Sequence, residues 1–390
     1  MANVRQPYFE VIYNSRDVTE DVSPDVIEIT YTDSVEGEAD ELVILLDDQF
    51  SKWKNEWRSS NGDKVSVKFG WSSSNLLDCG DFEVDEVDYS GSYGSGSTVS
   101  IRCLAIPMNS GARDLRSEIY ENQTLRQIAL KVADRNGWSL VSYFPIQNFE
   151  IVQTIGKSLA ANQVIETRLL RVVQNKESDI AFINRLGAKF GLTFSVRSTN
   201  MYFLLSYDVE SIAPIEEVVV YEIDDILAEA RANAEPSISL KSYRLKDCAE
   251  KIASGVDVRS NDPFSNAVFV FPLDNDQNWA QYMTEKVNSG YGLDSILGIK
   301  RRLQIFEFVE NSQQAELVAS AALYKVVSKQ VSGDMELEGV PNIVAGVSFN
   351  VGGLGSLSGR YFVEQSRHRI NRGSGWVVNA QVKQLSWMGN

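Results

Sequence analysis

The stretch Cys79-Gly80-Asp81-Phe82-Glu83-Val84-Asp85-Glu86-Val87 decides the class of fold. Phe82 and Val84 alternate with Asp81, Glu83 and Asp85, the period of a strand with one buried and one wet face. The phase then slips, because Val87 is apolar where Glu86 should be. One extra residue at that point predicts a β-bulge. Upstream, Val65, Val67 and Phe69 alternate with Lys64, Ser66 and Lys68 in the same way. Downstream, Val99, Ile101 and Cys103 share the inward face of the next strand, after a Gly91-to-Ser97 turn rich in Gly and Ser. Residues 1–108 therefore read as all-β. Between the strands, Trp53 and Trp57 lie four apart among Lys52, Lys54 and Arg58, a spacing that predicts one face of a short helix plugging a barrel.

The same region is acidic, with Glu20-Asp21, Glu36, Glu38, Asp40-Glu41 and Asp47-Asp48 in close succession. Residues 1–110 hold 21 Asp and Glu against 8 Lys and Arg, so they carry −13 of the chain's net −16. Surface carboxylate keeps a protein soluble, and it also repels a nucleic acid backbone. A stable nucleic-acid-binding role is therefore disfavoured. The 390 residues, 43% of them hydrophobic, suffice for two or three domains. No run of about 18 apolar residues exists, and no basic stretch followed by an apolar one opens the chain. No stable membrane association is expected. Cys79, Cys103 and Cys248 are odd in number and widely spaced, which predicts buried free thiols rather than a disulfide framework or a zinc site.

Residues 109–204 read as an α/β domain with an internal repeat. Thr124 to Leu140 is one copy and Ser178 to Phe194 the other. In each, a hydroxyl N-cap stands 13 residues before a glycine, Gly137 or Gly191, suited to the left-handed residue that ends a helix. Apolar positions match as well: Ala129 with Ile183, Val132 with Leu186, Leu140 with Phe194. Each unit is expected to be helix, glycine stop, strand.

Residues 205–390 return to β and read as a second barrel domain. Val218 to Tyr221 is a short β-branched run, Leu227 to Ala234 a short helix, and about 261–297 a polar insertion. Asn311 and Gln314 have capping-box spacing before a stripe of Ala315, Val318, Ala319, Ala322, Leu323 and Val326. Strands follow at 334–338, 347–351, 360–364 and 376–382, the last alternating Trp376, Val378, Ala380 and Val382. The fold class is thus α+β, mainly β.

Catalytic signatures are missing. His368 is the only histidine, and its position between Arg367 and Arg369 predicts an imidazole facing solvent, with no local nucleophile or orienting acid. Asp47-Asp48 and Asp85-Glu86 are adjacent pairs, whose members point to opposite faces of a strand and do not converge unless a bulge intervenes. The glycines of Gly353 to Gly359 precede a strand rather than a helix, which predicts a hairpin loop and not a nucleotide site. No cofactor or metal is expected.

The opening motifs, the helix–strand repeat and the C-terminal block resemble the late control gene D family, the central hub proteins of contractile phage tails. In the C-terminal block the resemblance rests on Lys300 to Gln304, Glu310 to Glu316 and Gly359 to His368. The first half of the type VI secretion spike protein is similar in plan. The resemblance implies a homotrimer in which each subunit supplies two related tube-like β-barrels. Six barrels would form a ring that joins the six-fold inner tail tube protein to a trimeric spike protein, within a baseplate of other proteins. DNA would touch it only in passing. The chain ends soon after Ser386, so the spike is expected to be a separate polypeptide. Asp33, Glu36, Glu38, Asp40 and Glu41 are then candidates to line the channel. Val43, Ile44 and Leu45, and Val347 and Phe349, are candidates for strand edges that pair with a neighbouring subunit. The alternative from another class is a cell-wall-degrading tail hydrolase, and a tail-like bacteriocin or injection system is as compatible as a phage.

Overall fold

A computed structural model describes residues 7–35, 40–71, 76–94, 96–105, 111–141, 168–197, 200–205, 217–219, 238–248, 255–261, 268–274, 302–371, 373 and 375–385. The first strand set comprises β1 (Tyr8–Tyr13), β2 (Arg16–Asp17), α1 (Thr19–Val22), β3 (Val26–Ser34), β4 (Glu41–Asp47), β5 (Lys64–Gly70), β6 (Leu76–Ser92) and β7 (Gly96–Leu104). Its strands pair antiparallel in the order β3-β4-β7-β6-β5-β1-β2. Asn14 and Ser15, with φ of 47° and 66°, make the tight turn between β1 and β2. The alternating residues pack as expected: Val65, Val67 and Phe69, Phe82 and Val84, and Val99, Ile101 and Cys103 share one buried cluster, which Leu42, Ile44 and Leu46 join. The bulge lies where the phase slips. Val84 faces Cys103 and Glu86 faces Arg102, so Asp85 is the extra residue.

Trp53 and Trp57 differ from expectation in backbone. They occupy a succession of turns, not a helix. The Asp48 carboxylate accepts the Trp53 N–H at 2.8 Å, and Trp53 Nε1 donates to Asp25 at 3.0 Å. Those side-chain bonds hold an open turn in place of a helical ladder. Trp53 is nonetheless buried, edge-on to Trp57 at 5.7 Å.

The middle of the chain forms β8 (Arg116–Thr124), α2 (Leu125–Asn136), β9 (Ser139–Val141), β10 (Arg168–Glu177), α3 (Asp179–Lys189), β11 (Leu192–Arg197) and β12 (Asn200–Leu205). β8 and β10 are an antiparallel ribbon, and each runs straight into a helix. Thr124 caps α2 with a reciprocal capping box to Gln127, and Ser178 caps α3 by accepting the Ala181 N–H. Gly137 and Gly191, with φ of 69° and 73°, supply the left-handed stops before β9 and β11. Two residues before each cap the chain is also left-handed, at Asn122 (54°) and Lys176 (48°).

The last third contains β13 (Glu217–Val219), β14 (Ile238–Asp247), β15 (Gly255–Asn261), β16 (Val268–Asp274), β17 (Arg302–Phe306), α4 (Ser312–Val327), β18 (Val331–Glu338), β19 (Ser348–Gly352), β20 (Gly359–Asn371) and β21 (Gly375–Gln384). Asn311 caps α4, accepting the Gln314 N–H at 2.8 Å, while the Gln314 side chain reaches back to the Glu310 N–H. Ala315, Val318, Ala319 and Leu323 share a cluster with Val256 and Val258 of β15 and with Ala129, Val132, Phe182 and Ile183. This cluster therefore runs across the 204/205 boundary expected from sequence, because the small residues of α4 let it close on β15 and the middle helices. Of the expected insertion at 261–297, residues 268–274 are β16, and the helix expected at 227–234 lies outside the described residues.

β13, β14, β18, β21, β20 and β19 pair in a closed cycle, with β19 returning to β13. Met335, Leu337, Phe349, Tyr361, Val363, Val378 and Val382 fill a third cluster. β20 has two successive neighbours on one edge. Gly359 to Phe362 pair with β19, and Gln365 to Asn371 pair with β3. A register shift at Glu364 marks the change, and the Glu364 carbonyl accepts the Val35 N–H at 3.0 Å. Both strand sets thus belong to one thirteen-stranded sheet among the described residues.

Candidate functional site

His368 sits where the two strand sets meet, and the sequence expectation for it is corrected. Its side chain is fully buried, not solvent-facing. Arg367 and Arg369 take one face of β20, whereas Ser366, His368 and Ile370 take the other, against β3. Nε2 lies 2.9 Å from the Ile343 carbonyl, with Tyr31, Phe69 and Trp376 rings about it at 6.1, 5.9 and 6.0 Å. Burial pushes the imidazole pKa down from 6.5 to about 3. A neutral ring bonded to a main-chain carbonyl among aromatics is a core group and cannot serve as a surface base. The period-two reading that located β20 also separates His368 from its flanking arginines, and that signal could have found it.

The same junction holds Trp71, whose Nε1 donates to the Gly339 carbonyl at 2.6 Å, and Gly339, whose N–H donates to Trp376 O at 3.0 Å. A Cβ on Gly339 would lie 2.2 Å from the Trp376 ring. Sequence reasoning missed this glycine, since nothing local marks a backbone pressed against an indole.

The acidic candidates separate. Asp33 is fully buried and accepts the Ala345 N–H at 3.0 Å, and Asp40 is buried with Tyr31 Oη at 3.5 Å. Asp33, without exposed surface, presents no charge to a channel, and Asp40, only 7% exposed, presents little, so both are corrected to ties within the fold. Glu41 is half-buried and receives Arg102 Nε and Nη2 at 3.0 and 2.8 Å. Glu36 and Glu38 lie outside the described residues. Of the paired acids, Asp48 takes the Trp53 N–H, whereas the bulge brings Asp85 and Glu86 each to 3.8 Å from Arg102 Nη1, where both are tied up as ion pairs, Asp85 also taking Arg113 at 2.7 Å.

The edge candidates are corrected too. Val43, Ile44 and Leu45 belong to β4, which pairs with β3 on one side and β7 on the other. Phe349 of β19 pairs with Tyr361 of β20, with β13 joining the other edge from Asn350 onward, and Val347 accepts the Val363 N–H at 2.9 Å through its carbonyl; both side chains are buried. Occupied edges cannot accept a strand. Exposed apolar side chains lie elsewhere: Phe50 and Tyr93 near the β6–β7 hairpin, Ile119 opposite Val173 on the β8–β10 ribbon, and Leu170 and Phe306.

Among the described residues no group of three or more His, Cys, Asp or Glu side chains could hold a metal ion. Cys79 and Cys103 are buried free thiols, and Cys248 is half-buried.

No family model matches the chain. Over 198 residues it is 29% identical to a probable baseplate hub protein of Escherichia phage 186. About half of the chain is similar in sequence to phage baseplate hub proteins. The matched stretch covers 51% of this chain and 45% of that relative, so the chain spans about half the length of the curated relative it matches. The fold extends the likeness to nearly the whole chain. A 43 kDa tail protein of prophage MuSo2 from Shewanella oneidensis superposes with a TM-score of 0.61 at 14% identity, covering 98% of this chain and 100% of that one. A tail protein from Neisseria meningitidis MC58 gives 0.63 at 9% identity, covering 97% of each. The baseplate hub relative and the tail-protein fold agree with the resemblance read from sequence.

Proposed function

We propose that this protein is a structural hub of a virion tail baseplate. The observation that carries the reading is the coincidence of two independent likenesses: sequence to a baseplate hub protein, and fold over 97–98% of the chain to tail proteins. In this reading the units 1–108, 109–204 and 205–390 are a first tube-like barrel, an α/β domain and a second barrel of related fold. The closed six-strand cycle and the single sheet through β3 and β20 support a body in which both barrels move as one. Three copies would place six barrels around a channel, joining a six-fold inner tube to a trimeric spike and letting DNA or cargo pass. The burial of His368 favours a part that acts by shape over a hydrolase.

Mass measurement of the full chain in solution, alone and with its spike and tube proteins, tests this. A trimer, or a monomer that trimerises with the spike, is the expected result. A persistent monomer that clears peptidoglycan in a zymogram would overturn it. For the channel, Glu36, Glu38 and Glu41 remain as lining acids. Their reversal to lysine is expected to slow genome release, and unchanged delivery would remove them.

A further inference from the structure

A cavity of about 540 Å³ opens in the first strand set, beside β1, β2 and α1. Among the described residues no ladder joins β3 to β1 or β2, so the sheet does not close strand on strand there. The Val18 N–H to Val11 O bond (3.0 Å) and the Val11 N–H to Thr19 Oγ1 bond (2.9 Å) secure α1 against β1 instead. The walls are Val11, Val18, Val22, Ile44, Leu46 and Ile101, all buried and all aliphatic. Trp53, Trp57 and Tyr13 complete the lining.

The aromatic lining is held by polar bonds. Trp53 Nε1 is bonded to Asp25, which also pairs with the Lys52 ammonium at 2.8 Å. That ammonium lies 5.0 and 4.9 Å from the Trp53 and Trp57 rings. The Tyr13 hydroxyl is bonded to Asp63, and burial with that carboxylate pushes its pKa up to about 12. Rings anchored this way do not swing inward to fill the space. Close-packed interiors leave few voids larger than a water molecule, whereas this volume falls in the range of small-molecule sites.

Charge at the mouth narrows the ligand class. Residues 1–110 contain four arginines, and two of them, Arg16 and Arg58, line this cavity together with Asn14 and Glu56. Arg16 is three-quarters exposed, with Asp21 no nearer than 3.7 Å, and Arg58 is exposed. The lining thus holds two guanidinium groups against the one carboxylate of Glu56, a local positive excess in a region of net −13, with Asp21 beside Arg16 as an exposed ion pair. A guanidinium fork suits a carboxylate.

We propose that this cavity binds a small amphipathic anion, with an aliphatic body among the valines, Ile44, Leu46 and Ile101 and a carboxylate held at Arg16 and Arg58. The test is a titration of the full chain with decanoate, read by tryptophan fluorescence and by calorimetry, against decyltrimethylammonium and decanol as controls of equal chain length. Saturable one-to-one binding of decanoate is expected, with the cation at least about tenfold weaker. The R16E/R58E double variant changes only rim side chains. It is expected to weaken decanoate about tenfold or more and to leave decanol unaltered. Ile44→Phe should block both ligands by filling the space, and Val18→Leu is the milder filling variant should Ile44→Phe not fold. Absence of saturable decanoate binding, equal binding of the decyl cation, or undiminished binding by R16E/R58E would overturn the assignment.

Discussion

The guanidinium of Arg135, near the end of α2, grips the carboxylate of Asp179, the first residue of α3, through bonds of 2.7 and 2.5 Å. Asp179 has no exposed surface, and it also accepts from Asn136 Nδ2 at 2.8 Å and Gln174 Nε2 at 2.9 Å. Arg135 in turn donates to Glu118 and to the Tyr120 hydroxyl. The two helix–glycine–strand units are thus tied end to start by a part-buried ion pair at the centre of a small network, with Arg116 3.8 Å from Asp179 and Glu118 on Arg135. Such a pair fixes geometry more than it adds stability, and removal of one member leaves a charge without compensation.

Arg135→Met, which leaves the fully buried Asp179 carboxylate with Arg116, at 3.8 Å, as its nearest cation among the described residues, is accordingly expected to destabilise the fold by about 3–5 kcal/mol in urea denaturation. Replacement of both partners, Asp179→Leu with Arg135→Met, should cost less than the sum of the single changes, because neither then strands a buried charge. Additive costs would show that the pair is not coupled.

Acid stability should carry the signature of His368. Its folded pKa is about 3 against an ordinary 6.5, so between those values the unfolded chain binds a proton that the folded chain refuses. Stability therefore falls as pH drops from about 6.5 towards 3, at up to about 1.4 kcal/mol per pH unit from this group. His368→Phe keeps the aromatic packing and removes the proton. Its melting temperature should depend less steeply on pH between about 6 and 4, at a cost of about 1–3 kcal/mol near neutrality from the orphaned Ile343 carbonyl. Equal slopes in the two proteins would assign acid sensitivity elsewhere.

Thiol chemistry separates the cysteines. Burial pushes the Cys103 thiol up to about 12 and the Cys79 thiol well above its usual range, whereas Cys248 is half-buried. A maleimide should label Cys248 in the folded protein and reach Cys79 and Cys103 only on unfolding. Mass spectrometry of labelled peptides in native buffer and in urea reads this directly.

Local features were legible in the sequence where local physics determines them. The caps at Thr124, Ser178 and Asn311 and the stops at Gly137 and Gly191 depend on neighbours a few residues away. The bulge at Asp85 was visible as a slip in phase. Long-range pairing was not legible. Nothing in Val43 to Leu45 announces that both edges are occupied, or in Phe349 that Tyr361 takes one of them, because edge status depends on strands far along the chain. Asp33 looked like surface charge for the same reason: its partner, the Ala345 N–H, lies 312 residues away.

Gly339 offers the sharpest test of the junction between the strand sets. Its backbone is fixed on both sides, by Trp71 Nε1 on its carbonyl and by its own N–H on Trp376 O. Trp376 is fully buried, edge-on to Phe69 at 5.6 Å, and cannot retreat from an added methyl group that would sit 2.2 Å from its ring. Relief would have to come from separating β21 from the Gly339 turn, which also loosens the Trp71 bond. Gly339→Ala should therefore cost about 1–3 kcal/mol or more by overpacking. The same change should alter tryptophan fluorescence, since Trp71 and Trp376 are 5.7 Å apart and both feel the shift. Gly352, where an added Cβ meets nothing within 4 Å, supplies the control: Gly352→Ala should leave the spectrum unchanged. A Gly339→Ala protein with unaltered melting and fluorescence would mean that the two strand sets are not locked together at this point.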